Sequence, residues 1–217
     1  MREVFQQELY EVQVRLVEIS ELVLQSIRKA TEAFNESDVA LADQVISADR
    51  EIDEAALSLD ELAIEILYRE QPMARDLRIV VSALRMSASL ERMGDLAQHI
   101  AQLARYRYPD RVVPDSLHGT FLKLGAQDVL IAQMLTELLR TQDVELGDRI
   151  RSEDDVVDKL HQSVFDAVLS PDWTGEAGNT VDVTLASRYH ERFADHAASI
   201  AKKVQYLATG DWAGADA

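Results

Sequence analysis

Residues 91–106 read ERMGDLAQHIAQLARY and residues 191–206 read ERFADHAASIAKKVQY. Without a gap they agree at seven of sixteen positions: Glu91/Glu191, Arg92/Arg192, Asp95/Asp195, Ala97/Ala197, Ile100/Ile200, Ala101/Ala201 and Tyr106/Tyr206. A second pair, DVALADQVISADREID (38–53) and DVELGDRIRSEDDVVD (143–158), also agrees at seven of sixteen. Chance supplies about one match in such a window. The offsets are 100 and 105 and the order is kept, so the chain is an internal duplication.

Each copy reads as three helices. Apolar residues recur at threes and fours along about Val4 to Phe34, through Leu9, Val12, Leu16, Ile19, Leu22, Val23, Ile27 and Ala30. Asp38 is placed to cap a second helix running to about Arg69, and Pro72 suits the first turn of a third, about Met73 to Arg105. The polar, proline-bearing stretch RYPDRVVPDSLHG (107–119) reads as a connector. A fourth helix is predicted from about Leu117 to Arg140, and a fifth, capped by Thr141 or Asp143, ends near Leu169. After the loop SPDWTGEAGN (170–179), a sixth runs from about Val181 to Ala208 and is closed by Gly210, leaving DWAGADA as a frayed tail. The expected fold is all-α, two tandem three-helix bundles over residues 1–107 and 108–217, with the linker at about 107–116.

Composition agrees. Glycine (8) and proline (4) are scarce and only 6% of residues are aromatic, as long helices require. Cysteine is absent, which excludes disulfides and thiolate metal sites. No signal-peptide core follows Met1 and no window approaches the roughly 18 apolar residues of a membrane span, so the expected location is the cytoplasm. The net charge of −17 repels phosphate backbones, which argues against nucleic-acid binding, and suits metal cations or a basic partner.

The duplication gives weight to the acids. With 39 of them, roughly seven pairs spaced four apart arise by chance, so one pair is a weak motif. Asp49/Asp53, Glu91/Asp95, Asp154/Asp158 and Glu191/Asp195 all fall inside the repeated blocks, one pair on the second and one on the third helix of each copy. Glu91, Asp95, Gln98 and Gln102 share a polar side, with Met93, Leu96, Ala97, Ile100 and Ala104 turned away. Asp53 and Glu91 lie about equally far from the break at Pro72, so antiparallel packing brings the pairs level. Four carboxylates then meet along one seam near the surface. They repel unless protonated or neutralised by a cation, and an all-oxygen set suits iron(III), manganese, magnesium, calcium or zinc. The competing reading is ordinary surface ion pairing by Arg92, Arg192 and nearby lysines.

Other chemistry has less support. No Glu is followed by His three residues later, so the di-iron bundle signature is missing. His190 and His196 flank the sixth-helix acids and read as ordinary helix histidines that could tune a site. No glycine-rich phosphate loop and no partnered Ser or Thr nucleophile is recognisable.

With the acid blocks, the stretches QPMARDLR (71–78), LERMGDLAQHIA (90–101), DREID (49–53), EDDVVD (153–158) and RYHERFADHAASIA (188–201) resemble the PhoU family, over nearly the whole chain from Met1 to Gly210. The opening MREVFQQEL is similar to its actinobacterial branch. The resemblance implies a non-enzymatic negative regulator of the phosphate-starvation response, coupling a phosphate ABC transporter, through its ATPase subunit, to a membrane sensor histidine kinase. It implies a homodimer, and a location in the cytoplasm or at the inner face of the membrane through protein partners. It further implies iron or zinc, with magnesium and manganese also suited, held by Asp49, Asp53, Glu91 and Asp95 in one half and by Asp154, Asp158, Glu191 and Asp195 in the other. Gly94 and Ala194 fit the family's small residue, which lets a neighbour approach closely. The family often has Asn where His99 and Ser199 stand, which leaves the outer part of each site open. Two alternatives are a carboxylate-bridged metalloenzyme, a hydrolase or oxidase, and a metal-storage helical protein.

Overall fold

The computed structural model describes residues 2–210, with the side chains described from Val4 onward. They form six helices: α1 (Arg2–Glu36), α2 (Val39–Glu70), α3 (Arg75–Arg107), α4 (Asp115–Thr141), α5 (Val144–Val168) and α6 (Ala177–Thr209). There is no strand among the described residues, so the all-α expectation holds. The stretch 211–217, expected as a frayed tail, lies outside them.

The helix ends follow local chemistry. Asp38 accepts from the Leu41 N–H and Asp143 from the Glu145 N–H, each satisfying a donor that the first turn leaves open. Thr141 lies at the end of α4, and Asp143 is the cap of α5. Gly210, at φ 76°, closes α6 with its N–H on the Tyr206 carbonyl.

Two starts differ from expectation. Pro72 is not in the first turn of α3, which begins at Arg75. Gln71 and Ala74 both have positive φ, and the chain reverses in the four residues 71–74. A proline disfavours the α region for the residue before it, which ends α2 at Glu70. The helix α6 begins at Ala177, earlier than the loop composition suggested. The Trp173 indole donates to Thr180 Oγ1 and the Thr180 N–H to the Glu176 carbonyl, so a side-chain contact from the preceding loop supports this first turn.

The helices make two layers. In one, α2, α3, α6 and α5 lie side by side; α1 packs beneath α2 and α3, and α4 beneath α5 and α6. The contacts α1–α4 and α3–α6 join the copies through a continuous core. Phe34 and Phe121 meet across it with ring centroids 5.5 Å apart. Duplication reaches the level of burial: every buried position of α1 from Leu16 to Phe34 is buried again 105 residues later. Ser37 and Gln142, 105 apart, share the left-handed turn conformation at φ 56° and 57°.

Candidate functional site

The seam between α2 and α3 is close because of Gly94. A Cβ built there would lie 2.9 Å from Ile52 Cδ1 and 3.3 Å from Asp49 Oδ1. Asp49 is deeper than expected, at 6% exposure, while Asp53 and Glu91 are exposed and Asp95 is half-buried. The surface location predicted for the four acids therefore holds for the outer ones only. Close approach at Gly94 draws α3 over Asp49. Gln98 Nε2 donates 2.6 Å to Asp49 Oδ2, and the buried Oδ1 has no partner. Burial, and then Asp53, Asp95 and Glu91, push the Asp49 carboxyl up to about 6, against the Gln98 hydrogen bond. Glu91 is also raised, by burial first and then by Asp53, Asp95 and Asp60, with Arg92 opposing.

The seam between α5 and α6 repeats this with a difference. Asp154 and Glu191 are half-buried, and Asp154 Oδ1 and Glu191 Oε2 lack partners. Burial, followed by Asp195, Asp158, Asp155 and Glu191, raises the Asp154 carboxyl to about 7. Glu191 is raised by burial and Asp195 against the Arg188 guanidinium. Where the first seam has Gln98, the second has Ala198. An open cleft of about 700 Å³ lies there, lined among others by Asp154, Asp155, Asp195, Ser199 and Lys202.

The acids of each seam thus feel one another electrostatically, in the groupings the spacing predicted. They do not form closed cages: among the described residues, no three His, Cys, Asp or Glu side chains converge as a group able to hold a metal ion. Counter-ions explain the gap. Arg92 pairs with Asp95 and Arg188 with Glu191, each three residues away on its own helix, while Gln98 holds Asp49. Arg92 was foreseen as a neutraliser; Arg188 takes the role expected of Arg192. The donor set fits a hard cation chemically, because buried carboxylate oxygens without partners and raised carboxyl groups mark negative charge short of compensation. Binding one would require the arginines to swing away.

Sequence reasoning missed one polar pair. His190 does not face the acids. It is 1% exposed, and its Nδ1 lies 2.7 Å from Oδ2 of Asp128, which is fully buried on α4. Burial raises the Asp128 carboxyl, with the neighbouring His190 opposing. The signal was available, since position 128 falls on the apolar stripe of Phe121, Leu124, Ile131 and Leu135. His196 is half-buried, and its charged neighbours are Arg192, Asp195 and Lys203 on its own helix and Arg92 on α3.

The PhoU domain family model matches this chain twice, over residues 16–104 and 121–204. The chain belongs to the PhoU family. It is similar to the phosphate-specific transport system accessory protein PhoU homolog 2 of Mycobacterium tuberculosis, 38% identical over 97% of this chain and 99% of the relative. It is likewise similar to the corresponding PhoU homolog of Rhizobium meliloti, 32% identical over 95% and 87% of the two chains. The crystal structure of PhoU from Pseudomonas aeruginosa superposes with a TM-score of 0.85 at 27% identity, covering 95% of this chain and all of that one. A phosphate transport system regulatory protein PhoU from Streptococcus pneumoniae shares the fold, with a TM-score of 0.84 at 24% identity over 95% and 98% of the chains. Membership in the family agrees with the duplicated helical unit seen here.

Proposed function

We propose that this protein regulates phosphate transport as a non-catalytic adaptor whose state is set by cations at its two acid seams. It restrains the phosphate-starvation response by linking a phosphate ABC transporter to a sensor histidine kinase, and it works as a homodimer in the cytoplasm. The relatives' description as phosphate-specific transport accessory proteins supports the physiological setting. No described helix is long and apolar enough to cross a membrane.

The observation that carries the cation reading is the repeated seam, with a buried carboxylate oxygen left unpartnered in both copies: Asp49 Oδ1 and Asp154 Oδ1. Asp49, Asp53, Glu91 and Asp95 would hold one cation or cluster and Asp154, Asp158, Glu191 and Asp195 the other. Iron or zinc is the leading choice, with manganese or magnesium also suited to oxygen donors. Such a cation would neutralise each seam and fix the spacing of α2 on α3 and of α5 on α6.

Two measurements test this. Elemental analysis of purified protein should find metal, and replacing Glu91 and Asp95 by Asn or Ala should remove about half of it if the seams act independently. Unchanged metal content would remove the cation assignment. Deleting the gene should derepress phosphate-responsive transcription at high phosphate; an unaltered response would remove the regulatory reading and leave the cation assignment standing.

A further inference from the structure

The helices α3 and α6 run antiparallel through the middle of the four-helix layer. Their register is fixed by three contacts: the Arg78 guanidinium carbon 5.9 Å from the Tyr206 ring centroid, His99 and Tyr189 with rings 5.2 Å apart, and the ion pair of Arg107 with Asp182. That register sets Arg85 opposite Lys203 and Arg92 opposite His196, with Arg192 one turn along. Arg85, Arg92 and Arg192 are exposed, and Lys203 is half-buried. Lys203 spends its ammonium on the carbonyl and hydroxyl of Ser199, at 3.1 and 2.7 Å.

Among the described residues, Arg85, Arg192 and Lys203 make no ion pair. The cations also act on one another. Burial and Arg85 lower the Lys203 ammonium. A row of like charges left together repels itself, and an anion laid along it relieves that repulsion.

We infer that the α3–α6 row of Arg85, Arg92, Arg192 and Lys203 is a docking surface for a single acidic polypeptide segment of a partner protein. Two features choose this occupant. First, Arg85 and Arg92 are exposed on one face of α3, about 10 Å apart along its axis, with Arg192 exposed on the neighbouring α6. A line of that length suits carboxylates spaced along a helix or strand. Second, the acid seams of α2–α3 and α5–α6 flank the row on both sides. A broad polyanion such as a nucleic-acid duplex would meet those carboxylates, while one narrow segment fits between them. The inference does not rest on the cation reading of the seams, although Arg92 is shared with the first seam through its pair with Asp95.

The test uses the full chain and a fluorescent, glutamate-rich helical peptide, followed by anisotropy across a salt series. Binding should occur despite the net charge of −17 and weaken as salt rises. Arg85→Gln with Arg192→Gln should weaken it about tenfold or more, whereas Arg28→Gln with Lys29→Gln on α1 should leave it unchanged. Circular dichroism should show both variants folded, since all four side chains are exposed. Equal binding by the Arg85/Arg192 variant and the native chain would overturn the proposal. So would displacement of the peptide by inorganic tripolyphosphate or duplex DNA at lower concentration than by unlabelled peptide, because the row would then serve another class of anion.

Discussion

Gln98 Nε2 donates a 2.6 Å hydrogen bond to Asp49 Oδ2, and the position related to Gln98 by the repeat is Ala198. The two acid seams are therefore alike in carboxylates and unlike in the amide that holds the deepest one. Gln98 lowers the Asp49 carboxyl against burial and three neighbouring acids, and Asp154 has no such help. Ala198→Gln should lower the Asp154 carboxyl and Gln98→Ala should raise that of Asp49. Both shifts are readable by carboxyl-carbon NMR across pH. A titration of Asp154 that ignores Ala198→Gln would show that the amide does not set the difference.

The raised carboxyl groups make metal-free stability fall with pH. Between the ordinary value of 3.8 and the folded values of about 6 for Asp49 and about 7 for Asp154, the unfolded chain has released these protons and the folded chain still holds them. Stability then declines as pH rises through that window, because the folded state binds the extra protons. Asp49→Asn with Asp154→Asn should raise the metal-free Tm by a few degrees at pH 7. The gain should vanish below about pH 4, where both states of the native chain are protonated. A gain of equal size at both pH values would point to packing rather than charge.

Arg92 and Arg188 compete with any cation for Asp95 and Glu191. Arg92→Ala should tighten binding of zinc or manganese to the first seam, by about fivefold if the exposed pair contributes about 1 kcal/mol. Isothermal titration resolves this. Weaker binding would mean that the guanidinium supports the site.

Asp128 and His190 form a buried pair where the repeat-related positions of the first copy, Val23 and Leu90, are buried and apolar. Breaking such a pair from one side leaves a buried polar group without its partner and costs about 3–5 kcal/mol. Asp128→Val alone should therefore destabilise strongly. Asp128→Val with His190→Leu should recover native stability or exceed it by about 1–4 kcal/mol, as measured by urea unfolding. Failure of the double variant to recover would show that the second copy's core has been shaped around the polar pair.

Gly94 sets the spacing of the first seam. Gly94→Ala places a methyl against Ile52 and should cost about 1–3 kcal/mol through overpacking. Adding Ile52→Val should restore part of that loss, since the contacts fall on Ile52 Cδ1 and Cγ2. No loss in the single variant would mean that α2 and α3 can separate freely.

Much of this molecule was legible in the linear sequence. Period-three-and-four apolar stripes, scarce glycine and proline, and capping Asp38 and Asp143 specify helices through local physics. The repeated blocks specify that three helices occur twice. The same repeat picked out the eight acids from a background of chance pairs, because spacing along one helix fixes which side chains share its face. What the sequence alone did not decide depends on which side chains meet once the chain has folded. Asp49 is buried because Gly94 lets α3 close over it. The acids stop short of a closed cage because Arg92, Arg188 and Gln98 reach them first. The start of α6 rests on the contact of Trp173 with Thr180. Asp128 and His190 meet because α4 and α6 pack face to face, and the cationic row exists only where α3 lies antiparallel to α6. Local spacing sets faces and periods, whereas burial, counter-ion choice and the pairing of distant side chains arise only when helices pack.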